Sequence, residues 1–263
     1  MSRAWLETEH RYGSLVHIID HPFLTTLLNR LSRPETKQPE ITQLVQRLYE
    51  HLLAFSMAQI LPRKRIRVAT RMTAAHPEQV LDQEILDQNA RVICVSLARA
   101  GTLPSHICYQ ILNETLNPEG VRQDHIWASR LTDSQDRVKG TDLSGVKIGG
   151  DVDDSIVLFP DPMGATGGTI VSTIDLYKAK YKGQSAKYVA LHLIITPEYI
   201  RAIQSKHPEV HVFALRLDRG LSSQKALAEI PGTFWPEERG LNEKQYIVPG
   251  AGGLGEILNN SFV

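Results

Sequence analysis

The sequence predicts an α/β protein whose central sheet is mostly parallel and flanked by helices. Short runs of branched apolar residues alternate along the chain with longer segments in which apolar residues recur every three or four positions. From residue 91 to residue 217 the resulting order is strand, helix, strand, helix. Such an order needs crossover connections, which make neighbouring strands parallel and place helices on the faces of the sheet.

Composition excludes several classes of protein. The 263 residues are 42% hydrophobic and 22% charged, which is typical of a globular domain with a real core. A formal net charge of zero argues against nucleic acid as a partner. No apolar run approaches the roughly 20 residues that span a membrane, and the polar N-terminus lacks a signal-peptide core. Cys94 and Cys108 fall in a predicted strand and a predicted helix, so we expect buried thiols and a cytoplasmic location.

The first third of the chain predicts three helices and one strand. Residues 17–31 and 41–61 carry amphipathic helical patterns, separated by a polar linker at 32–39. Residues 62–72 alternate as a strand with one wet face and carry five basic residues. These could contact a polyanion, but a solvated edge strand protected by its charge is the favoured interpretation. The apolar positions of residues 77–89 predict a further helix.

The middle of the chain predicts ligand-binding turns at strand ends. Residues 91–97 form a buried strand that runs into the Ala-Arg-Ala-Gly turn at 98–101, followed by a helix at 103–116. Alone, that turn would be an ordinary strand–helix connection with a solvated arginine. Residues 125–131 form another strand, and the polar, glycine-containing segment 130–155 predicts a mobile flap or hairpin.

Residues 156–181 carry the most informative pattern. The apolar strand at 156–159 leads through Asp161 and the small-residue segment 164–169 into a helical pattern. Amides at a helix start have no intrahelical partner and carry the positive end of the dipole, so this arrangement predicts a phosphate site. The segment is neither a Walker loop nor a dinucleotide fingerprint, because it lacks Gly-Lys-Thr and Gly-x-Gly-x-x-Gly.

The last third predicts two more strands, a helix and a loop-rich end. Residues 186–195 and 209–217 are strands, with a helix at 197–206 between them. His192 lies in an apolar strand and is interpreted as a core histidine rather than a metal ligand. Near residues 246–254, a short strand opening into glycines could form a backbone-lined pocket for a planar base. A glycine-rich loop without function is the alternative.

Taken together, these motifs resemble the uracil phosphoribosyltransferase family. The resemblance is carried by ARAG at 98–101, Arg130 at the end of its strand, FPDPMGATGGT at 159–169 and GLNEKQYIVPG at 240–250. With HIIDHPFL at the N-terminal side, it runs from about residue 17 to about residue 258.

The resemblance implies a type I phosphoribosyltransferase fold as one domain, 1–263, with a small hood from about 17–72 and 218–258. It implies a reaction of pyrimidine salvage in which uracil and 5-phosphoribosyl 1-pyrophosphate give UMP and pyrophosphate, with Mg²⁺ held mainly through the substrate. It also implies a homo-oligomer, a dimer or tetramer, and leaves open a GTP effector.

Site residues are carried over from the resemblance to the matching positions. Asp161 would bind the ribose hydroxyls, and Arg99 and Arg130 would hold the pyrophosphate, so Asp161 and Arg130 are the expected catalytic residues. The expected donor-binding residues are Arg99, Ala100, Gly101, Arg130, Asp161, Pro162, Met163, Gly164, Ala165, Thr166, Gly167, Gly168 and Thr169. The expected uracil-binding residues are Tyr246, Ile247, Gly252, Gly253 and Leu254.

The chain departs from the family pattern in three places. The family ending PGLGDAGD is PGAGGLGE here, so Gly253 stands where the first aspartate is expected and Glu256 where the second is. Residues 221–239 are inserted, and the flap sequence LTDSQDRV lacks the usual paired glutamates. Two alternatives therefore stay open: transfer to another nucleobase, and a non-catalytic regulator that binds nucleotide or RNA.

Overall fold

The computed structural model describes residues 6–132, 138–181, 183 and 187–262, with the backbone alone at 129–132 and 138–141. The strands are β1 (Val16–Ile18), β2 (Arg63–Val68), β3 (Leu81–Leu86), β4 (Arg91–Ala98), β5 (Val121–Thr132), β6 (Val138–Lys147), β7 (Ser155–Pro160), β8 (Met163–Gly164), β9 (Lys187–Ile195) and β10 (His211–Leu217). The α-helices are α1 (Pro22–Leu31), α2 (Glu40–Ile60), α3 (Thr102–Thr115), α4 (Gly168–Lys180), α5 (Pro197–Lys206), α6 (Gln224–Ala228) and α7 (Leu254–Ile257). Short 3₁₀ helices span Pro118–Gly120 and Trp235–Glu237.

The main sheet confirms the predicted fold class. Its strands lie in the order β1-β10-β9-β7-β4-β5-β6, and β8 pairs with β9. Each of these pairs is parallel except β5 with β6, which is antiparallel. Helices cover both faces, so the central strands are apolar on both sides, as expected for a buried parallel sheet.

Two hydrophobic clusters, one on each face of the sheet, form the core. Alternation along β7 divides its side chains between them, since Leu158 belongs to the first cluster and Phe159 to the second. Helices α1, α2 and α3 pack on the first face, through residues such as Leu48 and Cys108. Helices α4 and α5 pack on the second face, through residues such as Ile174. The site lies at one edge of this two-sided arrangement.

The prediction of a helix at 77–89 is wrong. Residues Leu81–Leu86 form β3, which pairs antiparallel with β2 in a separate two-stranded sheet. The hydrogen bonds come from β2, a non-local partner that the spacing of apolar residues within one segment cannot record. An ion pair of 2.7 Å between Arg65 and Asp82 crosses this exposed hairpin. The strand prediction for 62–72 is confirmed over Arg63–Val68.

The N-terminal helix begins later than predicted. Pairing with β10 holds Val16–Ile18 as strand β1, and α1 begins only at Pro22, where a proline is tolerated because the first amides of a helix need no partner. Helix α2 confirms the long helix expected at 41–61. Pairing of β5 with β6 confirms the hairpin alternative for the segment 130–155, of which residues 133–137 lie outside the described part.

The two cysteines are buried free thiols, as expected. Cys94 lies in β4 and Cys108 in α3, and both are fully inaccessible to solvent. The Sγ atom of Cys94 lies 3.1 Å from the carbonyl oxygen of Ser105, and burial raises the pKa of this thiol. Among the helices of the described residues, none is long and apolar enough to cross a membrane. The division into a main body and a hood stays a prediction.

Candidate active site

The candidate site lies where two neighbouring strands send the chain in opposite directions. Strands β4 and β7 are adjacent and parallel. After β4 the chain crosses by α3 to β5, whereas after β7 it crosses by α4 to β9 on the other side. Helices α3 and α4 consequently cover opposite faces, and a crevice is left between the two turns. In open α/β sheets, such a switch point at the carboxyl ends of strands is where ligands bind.

A cavity of about 150 Å³ occupies this crevice. The turn after β4 contributes Arg99 and Ala100 to its lining. The turn after β7 contributes Asp161, Met163, Ala165, Thr166, Gly167 and Thr169. The structure therefore brings together eight of the residues selected from the sequence. Gly101, Pro162, Gly164 and Gly168 belong to the same two turns but do not line the cavity.

The backbone of the second turn presents its donors at the start of α4. Gly167 adopts a left-handed conformation, with φ of +81°, as the last residue before the helix. Among the described residues, no partner engages the backbone amides of Thr166, Gly167 and Thr169. These amides, with the positive end of the dipole of α4, make an environment suited to a phosphate group.

The carbonyl groups of the same turn face the other way. Thr196, which caps α5, donates its amide to the oxygen of Gly164 at 3.1 Å and its hydroxyl to the oxygen of Ala165 at 2.7 Å. The amide of Leu193 donates to the oxygen of Pro162 at 3.0 Å. Because these carbonyl oxygens already accept hydrogen bonds from β9 and from Thr196, the side of the turn that faces the cavity presents mainly backbone N–H groups.

Asp161 is the one carboxylate among the described residues that line the cavity. Its side chain is half-buried, and its Oδ1 accepts a hydrogen bond of 3.4 Å from the amide of Met163. Its own amide donates to the oxygen of Leu191 at 3.1 Å, which extends the pairing of β7 with β9 by one residue. The position of Asp161 is thus set by the end of the sheet rather than by the turn alone.

Two buried polar side chains complete the floor of the cavity. His192 Nδ1 lies 2.5 Å from the carbonyl oxygen of Asp161, and His192 Nε2 lies 2.6 Å from the hydroxyl of Tyr199. Burial lowers the pKa of His192 to about 4, although the hydrogen bond to Asp161 acts to raise it. The interpretation of His192 as a satisfied core histidine is confirmed. Sequence reasoning missed Tyr199, since an aromatic residue in the first turn of a helix gives no signal of a site.

The first turn is held closely against the second. A side chain at Gly101 would begin 2.8 Å from the oxygen of Leu97 and 3.0 Å from the oxygen of Pro160, so only glycine allows this approach. The guanidinium of Arg99 is exposed and donates to the oxygen of Ser261 at 3.0 Å and to its hydroxyl at 3.1 Å. The C-terminal segment therefore reaches the cavity through Arg99.

Arg130 lies in β5, the strand beside β4. Its backbone pairs with Thr141 of β6. Its side chain lies outside the described part of the structure, so a role toward the cavity stays a prediction. Ala128 of the same strand lines the cavity.

The five residues expected to bind a base do not line this cavity. Ile247 and Leu254 are buried in the first core cluster, whereas Tyr246 is 44% exposed. The expected strand here is reduced to one bridge between Leu241 and Ile247. The segment lies close by, because a side chain at Gly255 would begin 3.4 Å from the Cβ of Ala100. Gly252 and Gly253 form the turn just before Gly255, so the segment expected to bind a base lies beside this cavity.

A purely protein-built metal centre is absent from the described ranges, in which no three His, Cys, Asp or Glu side chains are grouped to hold a metal ion. A divalent cation at this site would meet one protein carboxylate, Asp161. Mg²⁺ commonly binds through one or two carboxylates together with substrate phosphates and water, so the residues present fit such an ion.

Comparison with known proteins gives a consistent result. The family model of uracil phosphoribosyltransferase matches residues 18–233. The uracil phosphoribosyltransferase of Lactococcus lactis subsp. cremoris (strain MG1363) is 25% identical over 246 residues, covering 93% of this chain and 98% of the relative. That of Dictyoglomus thermophilum is 28% identical over 244 residues, with coverage of 93% and 98%.

Among solved structures, the AQ2163 protein from Aquifex aeolicus is similar with a TM-score of 0.67. The two are 22% identical in sequence, and the similarity covers 92% of this chain and 97% of that chain. This likeness concerns the fold.

Proposed function

The chain belongs to the uracil phosphoribosyltransferase family, and from this premise we propose that it transfers the phosphoribosyl group of 5-phosphoribosyl 1-pyrophosphate to uracil. The bond between the anomeric carbon and the pyrophosphate oxygen breaks, and a bond from that carbon to N1 of uracil forms. The N1 proton of uracil passes to the departing pyrophosphate or to water, and UMP and pyrophosphate leave. One observation carries the proposal: the carboxylate of Asp161 and the backbone amides at the start of α4 line the same cavity, at the carboxyl ends of β4 and β7.

The donor would lie along the cavity with its 5′-phosphate on the amides of Thr166, Gly167 and Thr169. Helix α4 supplies the favourable end of its dipole there, and the threonine hydroxyls add further donors. Asp161, five residues before Thr166, would accept hydrogen bonds from the ribose hydroxyls. Its negative charge would also favour the positive charge that develops at the anomeric carbon as the pyrophosphate departs.

The pyrophosphate would lie against the turn after β4. Arg99 would exchange its hydrogen bonds to Ser261 for bonds to phosphate oxygens, which is a favourable exchange because charge-assisted bonds are stronger than neutral ones. Arg130, next along the sheet, would reach the same group and neutralise its charge. Mg²⁺, when bound, would supply further neutralisation of the pyrophosphate, with Asp161 as its protein carboxylate.

Uracil would bind beside the donor cavity, against residues 246–254. Gly253, where the resemblance leads us to expect an aspartate, lacks a carboxylate of its own. Oε2 of Glu256 lies 2.5 Å from the point at which a side chain at Gly253 would begin. An acid is therefore available at this position, which supports uracil as the base. The absence of an aspartate at residue 253 itself is the observation that favours the second candidate function, transfer to another nucleobase.

The test is a transfer assay with Mg²⁺, the ribosyl donor and each nucleobase in turn. We expect UMP from uracil and no product from the other bases. A nucleotide formed from another base would support the second candidate instead. Stabilisation of the protein by the donor without any product would indicate a non-catalytic regulator.

Replacing the carboxylate tests the assignment of the site. We expect Asp161→Asn to lower kcat/KM by about a hundredfold, because an amide cannot stabilise the developing positive charge. Asp154→Asn is the matched control, since Asp154 is exposed, has a φ of +49° that asparagine tolerates, and does not line the cavity. Near-normal turnover by Asp161→Asn would contradict the assignment.

A further inference from the structure

His192 and Tyr199 form a buried pair against the turn that follows β7, residues 161–169, which we call the donor turn. His192 is in β9 and Tyr199 is in the first turn of α5, and their exposed fractions are 0% and 1%. Their rings meet edge to face, with centroids 4.5 Å apart. Both side chains line the cavity, although neither is needed to bind the donor in the proposal above.

The hydrogen bonds of the pair determine its protonation. The carbonyl oxygen of Asp161 can only accept, so His192 Nδ1 carries the proton and donates it. Burial keeps the ring neutral at ordinary pH by lowering its pKa, so Nε2 is an acceptor. Burial also raises the pKa of Tyr199 well above its usual value, so its hydroxyl keeps the proton and donates it to Nε2. Each donor and acceptor of the imidazole is therefore satisfied, in one tautomer.

The tyrosine ring also supports the other part of the turn. A side chain at Gly164 would begin 3.2 Å from the ring of Tyr199, and one at Gly167 would begin 3.6 Å from it. The ring thus fills the space beneath the two glycines, and its hydroxyl connects to the imidazole that holds Asp161. The two groups assigned to the ribose and to the 5′-phosphate rest on one pair of side chains.

We propose that His192 and Tyr199 are positioning residues for the ribosyl donor, which set the spacing between the Asp161 carboxylate and the amides of residues 166–169. The inference rests on the proposed function, because it names what holds the two parts of that site in register. A rigid bridge beneath the cavity would save the donor the cost of ordering the turn on binding.

The experiment measures donor binding by calorimetry in the absence of a base, followed by the KM for each substrate. His192→Leu removes the N–H group that donates to the carbonyl oxygen of Asp161. The side-chain amide of His192→Asn can place an N–H group near the position of Nδ1. We expect His192→Leu to raise the dissociation constant and the KM for the ribosyl donor by about tenfold, the factor expected for one lost hydrogen bond. His192→Asn should restore most of the affinity, and the KM for uracil should stay unchanged in both.

Tyr199→Phe is the second variant, because it keeps the ring beneath Gly164 and Gly167 and removes only the hydroxyl. We expect the dissociation constant of the ribosyl donor to rise about threefold, since His192 Nε2 loses its hydrogen bond from the hydroxyl of Tyr199. His211→Leu is the matched control, because His211 begins β10 and does not line the cavity. It should bind the ribosyl donor like the unchanged protein.

Three results would overturn the inference. One is unchanged donor affinity in both His192→Leu and Tyr199→Phe. Another is equal loss in His192→Leu and His192→Asn, and the last is a parallel rise in the KM for uracil, which would indicate a general structural effect. Failure of the unchanged protein to bind the ribosyl donor would overturn the proposed function itself, and this inference with it.

Discussion

At the scale of single residues, Gly167 combines a conformational and a steric constraint in the donor turn. Its φ of +81° lies in the left-handed region, which costs a residue with a side chain about 1 kcal/mol. A side chain there would also begin 3.0 Å from the Cβ of Ala202 in α5. Glycine therefore allows the turn to reverse and the helix to pack against α5 at the same point.

Gly167→Ala tests this constraint. We expect the free energy of unfolding to fall by about 1–2 kcal/mol and the affinity for the ribosyl donor to fall about tenfold, because the amides of the turn shift. Gly13→Ala is the matched control, since Gly13 has a φ of +102° and lies away from the cavity. Urea unfolding and donor titration give the two quantities. Equal donor affinity in both variants would contradict the role of Gly167.

The residues of the site were predictable to different degrees. Asp161 and the small residues after it were predictable because strand, turn and helix start are contiguous in the sequence, and a phosphate site uses that local geometry. His192 and Tyr199 were not predictable as site residues. His192 meets Asp161 across 31 positions of sequence, through the pairing of β9 with β7.

At the scale of elements, α5 connects the segment 221–239, which the family resemblance predicts to be inserted, to the donor turn. Trp235 Nε1 donates to the oxygen of Pro197 at 3.3 Å, and Arg201 donates to the oxygen of Trp235 at 2.7 Å. Directly after the segment, the amide of Gly240 donates to the carboxylate of Glu198 at 3.0 Å. The segment thus braces the start of the helix whose cap, Thr196, binds the donor turn.

Truncating the central aromatic residue of this brace tests its importance. We expect Trp235→Ala to lower the free energy of unfolding by about 2 kcal/mol, because the ring packs edge to face on Tyr12 with centroids 5.1 Å apart. Trp235→Phe keeps a smaller aromatic ring and loses the N–H together with part of the packing area, so it should cost about 1 kcal/mol. Urea unfolding measures both. Equal losses would contradict a stabilising contribution from the aromatic contact with Tyr12.

Helices and strands were predictable where the spacing of apolar residues within one segment determines them. They were not predictable where a partner distant in sequence determines them. The apolar strands β4, β7 and β9 were recognised because burial on both faces leaves continuous branched runs. Strand β3 was mistaken for a helix, because it is a largely exposed strand whose only hydrogen-bonded neighbour in the described sheets is β2. The family resemblance predicts that residues 221–239 are inserted, but it gives no sign of where they pack.

At the scale of the whole molecule, both cores contain tyrosines whose hydroxyls are shielded from water. Burial raises the pKa of Tyr49 in the first cluster and of Tyr12, Tyr177 and Tyr199 in the second. These groups release their protons near pH 10 only when the chain is unfolded. Above pH 10 the unfolded state therefore binds fewer protons than the folded state, and stability falls as the pH rises.

Alkaline titration tests this coupling. We expect the buried tyrosines to ionise only as the protein unfolds, so that late absorbance change at 295 nm coincides with loss of circular dichroism. In concentrated guanidinium chloride the same residues should ionise together near pH 10. Ionisation of all eight tyrosines of the chain before the loss of circular dichroism would contradict the burial of these hydroxyls.

The crevice between the turns after β4 and β7 has a consequence for how the protein would unfold. Each turn is continuous with a helix on a different face, so each is anchored in a different core. A donor spanning both turns would be held by the two cores at once, and neither face could open without releasing it. Binding would then convert two packed layers into one cooperative unit, even though the ligand touches only the rim of each.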